Sequence, residues 1–240
     1  VLTGGDYSGS VTPATIEAAI ASLEKVDRPT LLVFPDNDTV DDFAPVYNAA
    51  LAHCDKMQDR FTIIDVKEEL AMASNGVIAD FRDAGIGTSY LNYGAAYYPP
   101  LASTFPLVYD PDLSISRSVD AAPATTPALS ALKTSDPSIY RDIVAKLADY
   151  TATIPASGAV AGIYARTDRD RGVWKAPANV SINNISGPTV ALKQSQNDDM
   201  NVDANAGKSV IASRQFTGKG TLVWGARTLA GNDNEWRYVP

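Results

Sequence analysis

The sequence has very little of several residues on which whole classes of protein depend. Its 240 residues include one cysteine and one histidine, and 20 Lys and Arg stand against 28 Asp and Glu. The single cysteine, Cys54, cannot form an internal disulfide, and within a predicted helix it is expected to be a small buried apolar residue. The net charge of −8 has the wrong sign for a groove that follows a phosphate backbone, so we predict no nucleic-acid binding.

Long apolar runs are also missing from the sequence. No stretch approaches the roughly 20 apolar residues that a membrane-spanning helix needs, and we therefore predict no membrane insertion. The first residues lack the basic and then apolar pattern of a secretion signal. The chain begins at Val1 and stops at Pro240 within a predicted strand, which indicates a piece of a longer protein.

The pattern that is present predicts an α/β fold. Helical and strand patterns alternate in the first half, which favours a central, largely parallel sheet flanked by helices. Short alternating apolar runs follow in the last third, which favours a β-rich, mostly antiparallel C-terminal part. We assign residues 1–155 to the α/β part and residues 156–240 to a helix plus the β-rich part of the same core.

Individual elements follow from periodicity and from turn residues. The stretch from about 110 to 136 is rich in Ala, Ser, Thr, Pro and Asp and predicts a loop. Helices are predicted at about 12–23, 40–57, 75–83 and 138–150, and from Ser157 to a stop at Gly172. Strands are predicted at 31–35, 61–66 and 89–101, and in the runs VSINNI, TVALK, SVIASRQF and TLVWGARTL, with 218–220 as a hairpin turn.

Two helices predict the core most directly. The inward residues of the first are expected to be Ile16, Ala19, Ile20 and Leu23. Those of the second are expected to be Phe43, Val46, Tyr47, Ala50, Leu51 and Cys54.

Patterns for catalysis, cofactors and metals are incomplete. A hydrolase would have to use His53 as its base, with Asp36 as the group that orients it, and no serine lies in a G-x-S-x-G turn. The stretch AGKSV resembles the end of a phosphate-binding loop, but Val202 stands where a glycine is required. Oxygen-bearing residues alternate from Asp199 to Asn205 without the glycine and glutamate of a calcium loop, which favours a solvated turn. We expect no catalytic residue, cofactor or metal site, and keep the hydrolase as the alternative.

A dense run of charge, RTDRDRGVWKAPANV, occupies Arg166–Val180. On a helix, Arg166 and Asp170 are four residues apart and Asp168 and Arg171 are three apart, so an intramolecular surface network is one interpretation. The other is that these side chains meet carboxylates and guanidinium groups of another subunit. Trp174 would then be an aromatic anchor of the contact, although it could equally be a core residue.

Two long segments give the sequence a family resemblance. AVAGIYARTDRDRGVWKAPAN (Ala159–Asn179) and VWGARTLAGNDNEWRYV (Val223–Val239) closely resemble the tail sheath proteins of contractile phage tails and contractile injection systems. The intervening SVIASRQFTGKG and the early segment GGDYSGSVTPATIEAAIASLEKVDRPTLLVFPD also match the family pattern. The resemblance therefore extends over essentially the whole chain.

The resemblance implies a structural protein and not an enzyme. It implies a subtilisin-like α/β topology, assembly in the bacterial cytoplasm around an inner tail tube, attachment to a baseplate, and contraction that drives the tube through a cell envelope. Neighbouring sheath subunits would exchange strands through N- and C-terminal arms, and this chain starts after the first and stops before the second. A surface for such subunit contacts is predicted at Arg166, Asp168, Arg169, Asp170, Arg171, Trp174 and Lys175.

Overall fold

Residues 12–35, 42–67, 76–116, 127–202 and 208–238 are described by a computed structural model of the chain. The helices are α1 Pro13–Ser22, α2 Ala44–Met57, α3 Val77–Asp83, α4 Leu129–Ser135, α5 Pro137–Leu147, α6 Ala156–Arg171 and α7 Gln194–Asn201. The strands are β1 Leu31–Val33, β2 Phe61–Asp65, β3 Gly94–Tyr98, β4 Leu101–Pro106, β5 Thr151–Ile154, β6 Val180–Ser181, β7 Ile185–Pro188, β8 Val210–Phe216 and β9 Gly220–Trp224.

The chain divides into two units, each of which packs mainly against itself. The larger unit combines Val1–Leu101 with Ile154–Pro240, and the smaller is Ala102–Thr153. In the smaller unit β4 and β5 are hydrogen-bonded neighbours, and the carboxylate of Asp136 caps α5 by accepting the N–H of Ile139 at 3.3 Å. The predicted division into residues 1–155 and 156–240 stays a prediction.

A six-stranded sheet forms the centre of the larger unit, in the order β1-β2-β3-β8-β9-β6. Its first four strands are parallel, whereas β9 runs antiparallel to β8 and β6 antiparallel to β9. The predicted fold class, with a largely parallel sheet and antiparallel C-terminal strands, is therefore confirmed. The C-terminal strands extend the N-terminal sheet, because β8 lies beside β3 with Val210 opposite Ala96.

Helices cover both faces of this sheet, so its central strands are apolar on both sides. Ile64 of β2 faces α2, where it belongs to the same cluster as Val46 and Leu51. Ile63, the next residue, faces the opposite way and packs with Val160 of α6. Residues of α1, α2, α3 and α7 contribute to the first cluster, whereas α6 alone among the helices contributes to the second.

The two helices expected to define the core behave differently. All six residues predicted to point inward from α2 are buried. In α1 Ile20 is buried, and Ile16 and Leu23 pack against the core, but Ala19 is exposed and its predicted burial is wrong. The start of α1 is as predicted, since Thr12 and Thr15 form a reciprocal capping box.

Several predicted elements differ from the structure. The run TVALK is not a strand: it is irregular, and its alternation places Val190 and Leu192 against the core. VSINNI contains β6 and the start of β7, which are separated at Asn184, where φ is +58°. The predicted strand at 89–101 is shortened to β3, because a 3₁₀ turn occupies Leu91–Tyr93. The predicted loop at 110–136 contains α4, which buries Leu129 and Leu132.

Helix α7 was not predicted, because its sequence QSQNDDMN is almost entirely polar. It contains Asp199 and Asn201 of the predicted solvated turn, so that prediction is wrong for these two residues; 203–207 lie outside the described residues. Tertiary contacts hold the helix: Met200 is buried, and the Arg82 guanidinium donates to the carbonyls of Asp199 and Met200 at 3.0 and 3.1 Å. Such contacts override weak intrinsic propensity.

Candidate subunit-contact surface

The charged run forms the last turns of α6. The buried side of this helix carries Val160, Ile163, Tyr164 and Thr167, a spacing of three and four residues that places them on one stripe. The residues that follow, 168–171, are all exposed. The charge therefore lies at the end of a helix whose other turns are packed on the sheet.

The beginning of α6 is fixed by a buried carboxylate. Asp65, at the end of β2, accepts the backbone N–H of Ser157 at 2.8 Å, and both residues are buried. A negative charge is favourable at this end of a helix, where N–H groups lack intrahelical partners. The sheet thus positions α6 at its first turn as well as along its apolar stripe.

The end of α6 is shaped by Gly172 and Trp174. Gly172 has φ +90°, and its N–H donates to the Asp168 carbonyl at 3.0 Å, which confirms the predicted helix stop. The Trp174 ring lies over Gly172 so closely that a Cβ there would be 2.4 Å from Cη2. Only glycine fits both the backbone conformation and this contact.

The residues of the candidate contact surface differ in how far their side chains are exposed to solvent. Trp174 is 82% exposed and its neighbour Val173 67% exposed, so the interpretation of Trp174 as a core residue is wrong. Asp168, Arg169, Asp170 and Arg171 are exposed, whereas Arg166 and Lys175 are half-buried. A large exposed apolar ring thus lies close in sequence to exposed charged residues.

The ion pairs differ from the two that the helical spacing predicted. Arg169 makes two contacts with the Asp170 carboxylate, at 2.7 and 3.2 Å, which raise the pKa of Arg169 and lower that of Asp170. Arg166 forms no ion pair with Asp170, although its charge also lowers the pKa of Asp170; it donates instead to the Ser181 carbonyl at 2.6 Å, at the end of β6. Asp168 and Arg171 form no ion pair with each other, and neither side chain has a hydrogen-bond partner among the described residues.

A hollow of about 480 Å³ lies beside this helix end. Its charged lining consists of Arg166, Asp170, Arg171 and Lys175, three cations and one anion. Lys175 Nζ donates to the Ala176 carbonyl at 2.7 Å, which leaves donors available to a further acceptor. The charged side chains of this lining therefore carry a net positive charge.

The only histidine is part of a buried structural network. His53 Nε2 lies 2.8 Å from Arg60 Nη1, and because a guanidinium only donates, Nε2 must accept and the ring is neutral. Burial, and then the Arg60 charge, lower the pKa of His53. The nitrogen that a catalytic base would use is thus occupied, and the proposed orienter Asp36 lies outside the described residues.

The remaining chemical candidates are also engaged or buried. Burial raises the pKa of the Cys54 thiol to about 12, as expected of a structural cysteine. Lys208 is buried and donates to the carbonyls of Arg82 and Ile86, so it does not present a free ammonium to a phosphate. No cluster of three potential His, Cys, Asp or Glu metal ligands occurs in the described ranges. Among the helices in those ranges, none is long and apolar enough to span a membrane.

The arginines that organise the larger unit were missed by the sequence reasoning. Arg60, 3% exposed, donates to the carbonyls of Leu23 and Val26 as well as contacting His53. Arg82 ties α3 to α7 and to Lys208. The sequence signal for Arg60 is slight: a charged residue stands directly before an apolar strand.

The described residues therefore define a mixed α/β domain in which the catalytic candidates serve structural hydrogen bonds and one helix end carries exposed charge. A family model described as the phage tail sheath protein central domain matches residues 9–229. The chain belongs to the phage tail sheath family.

Relatives of known type agree with this family. The chain is 32% identical over 85 residues to a prophage major tail sheath protein of Pseudomonas aeruginosa (strain UCBPP-PA14), covering 35% of this chain and 22% of the relative. It resembles the contracted PVC sheath of an extracellular contractile injection system, with 28% identity and TM-score 0.59 over 92% of this chain and 46% of that one.

The contracted helical sheath of the anti-feeding prophage is similar, with 26% identity and TM-score 0.57 over 100% of this chain and 48% of that one. The chain thus spans about half the length of these sheath structures. The relatives are components of phage tails or tail-like particles, and no comparison supports the hydrolase alternative.

Proposed function

We propose that the protein to which this chain belongs is a structural subunit of a contractile tail sheath. Subunits polymerise around an inner tail tube, join a baseplate, and contract to drive the tube through a cell envelope. Membership of the sheath family carries this proposal, supported by the likeness to two sheaths in the contracted state.

The fold suits subunits that change their mutual contacts without unfolding. A sheet buried between helix layers keeps its shape, whereas polar surface contacts can break and form again elsewhere. In this proposal the larger unit keeps its shape while it moves, and exposed charges provide the exchangeable contacts.

The contact surface in this proposal is the end of α6 with the turn after it. It comprises Arg166, Asp168, Arg169, Asp170, Arg171, Trp174 and Lys175. Its main support is that Trp174 is 82% exposed, while Asp168 and Arg171 have no hydrogen-bond or ion-pair partner in the described part of the chain. Aromatic and arginine side chains carry much of the binding free energy of protein interfaces.

The same proposal extends to catalysis, to nucleic-acid binding and to the place of assembly. The protein is not an enzyme, which is supported by the engagement of His53 with Arg60. Nucleic acid is not a partner, because the net charge is −8. Assembly takes place in the bacterial cytoplasm, before the particle acts.

Negative-stain microscopy of the full-length protein, expressed with its tube protein, tests the function. We expect hollow tubular polymers of regular diameter that exist in a long and a short form. Folded protein that forms no tubes with the tube protein present would contradict the proposal.

A further inference from the structure

We propose that Trp174 of one subunit inserts into an apolar groove between α3 and α7 of a second copy of the chain. The inference rests on the proposed function, since it names the acceptor for the contact surface at the end of α6. It concerns two sites within the larger unit, which differ in position and are complementary in chemistry.

The groove has a cavity volume of about 390 Å³. Its apolar lining includes Ile78 and Ala79 of α3, Val190 and Leu192 of the segment before α7, and Met200 of α7. Apart from the buried Met200 these residues are half-buried, so among the described residues the groove is open to an incoming side chain.

Charge complementarity favours the pairing. Asp199 lines the groove and is exposed, and Asp198 is exposed next to it in the sequence. The Arg82 guanidinium also lines the groove, but it donates to backbone carbonyls, among them those of Asp199 and Met200. Trp174 is flanked by Arg171 and Lys175 on its own subunit. An aromatic ring with basic neighbours thus meets an apolar floor with an acidic rim.

The positions suit head-to-tail assembly. The helix α6 covers one sheet face and ends near Phe61, at the N-terminal edge of the parallel strands. The groove lies on the other face and includes Tyr98, at the C-terminal end of β3. A contact between two different patches can repeat from subunit to subunit and build rings or helical polymers, whereas a patch that pairs with itself closes a dimer.

The Trp174 ring is also prepared for insertion. It is held over Gly172, so little side-chain freedom remains to be lost on binding. A second aromatic-lined hollow, near Phe61 and Trp236, lies at the same edge as Trp174 and includes Val173 itself, so it does not supply the opposite patch.

Cysteine cross-linking in polymers of the full-length protein tests the pairing. Val173→Cys and Ala79→Cys are made as two separate variants, each carrying one substitution. The native Cys54 is buried and does not react with the cross-linker. We expect a short bis-maleimide to link subunits in mixed polymers and not in polymers of either variant alone. Two outcomes would overturn the pairing and leave the sheath function intact. In one, mixed polymers form without the link. In the other, the Ala79→Cys position is linked to a peptide that does not contain Val173→Cys. If the unsubstituted protein forms no polymer with its tube protein, the proposed function fails as well.

Assembly measurements provide an independent test. Trp174→Ala should raise the concentration needed for polymerisation about 30-fold or more, as expected of an interface anchor. Tyr150→Ala, at an aromatic side chain that is 62% exposed and lines neither site, is the control and should change it less than about threefold. Lys175→Asp should weaken assembly, and Asp199→Lys in the same chain should restore part of the loss. An unchanged threshold for Trp174→Ala overturns the proposal.

Discussion

His53 and Arg60 form a buried pair in which the imidazole Nε2 accepts from the guanidinium Nη1 over 2.8 Å. The same guanidinium donates to the carbonyls of Leu23 and Val26, at the end of the α1 segment, and its Nε donates to Asp59 at 3.1 Å. The pair therefore joins α2 to the segments on either side of it. Its chemistry leads to two predictions.

The first concerns pH. Because the pKa of His53 is lowered below 6.5 in the folded state, the unfolded state binds more protons once pH falls below that value. The contribution of His53 to stability is complete above pH 6.5 and is lost as pH falls through the lower, folded pKa. His53→Gln keeps an acceptor for Arg60 and removes the titration. Urea unfolding at pH 7.5 and 5.5 should show a smaller loss of stability in the variant; an equal loss in both proteins would contradict this account.

The second concerns Arg60→Lys. A lysine ammonium cannot reproduce the planar set of donors, so buried carbonyl groups lose their partners. We expect the free energy of unfolding to fall by about 2–4 kcal/mol. Arg28→Lys, at an exposed arginine, is the control and should change it by less than about 0.5 kcal/mol. Urea denaturation measures the free energy of unfolding of both variants. If Arg60→Lys lowered it as little as Arg28→Lys, the hydrogen bonds of Arg60 would contribute little to stability.

A third prediction compares two glycines, Gly162 within α6 and Gly172 at its C-terminal end. Gly172→Ala places a Cβ against the Trp174 ring at a φ of +90°, and should lower stability by about 1–2 kcal/mol and alter tryptophan fluorescence. Gly162→Ala, in the same helix with open space around its Cβ position, should raise stability by about 0.5–1 kcal/mol. Thermal unfolding of the two variants should move in opposite directions. An unchanged fluorescence spectrum in Gly172→Ala would refute the packing of Trp174 on Gly172, because the backbone strain at φ +90° lowers stability even without that contact.

The fourth prediction separates assembly from folding. Arg171→Glu should impair polymerisation of the full-length protein while leaving the melting temperature of the monomer nearly unchanged, because Arg171 has no ion-pair partner among the described residues. Lys219→Glu, in the exposed turn between β8 and β9, makes the same charge change away from the contact surface and should assemble normally. Sedimentation and calorimetry measure the two properties. Equal assembly by both variants would remove Arg171 from the contact surface.

Much of the fold was predictable because local pattern and tertiary environment agree. The apolar strands β1 and β2, the inward face of α2 and the stop at Gly172 have strong periodicity or turn chemistry. Helix α7 was not predictable, since a guanidinium more than 100 residues away, that of Arg82, helps hold its polar sequence in a helix. The place of β8 beside β3 also depends on long-range pairing that no local pattern records.

The candidate site was predictable in composition and not in geometry. The sequence identifies the charged run and its aromatic neighbour, and one interpretation of it paired Arg166 with Asp170. The carbonyl of Ser181, which Arg166 contacts at 2.6 Å, belongs to a strand brought to the helix by folding. The exposure of Trp174, whose ring lies over Gly172, depends likewise on the turn that follows the helix.

The placement of α6 has a mechanical consequence. The helix has 16 residues and is therefore about 24 Å long. It starts at the Asp65 carboxylate, at the C-terminal end of β2, and runs toward Phe61, at the N-terminal end of the same strand, before the turn that carries Trp174. A compressive load applied at Arg171, in the last turn of α6, is carried along a continuous hydrogen-bonded helix to the end of β2 beside Asp65.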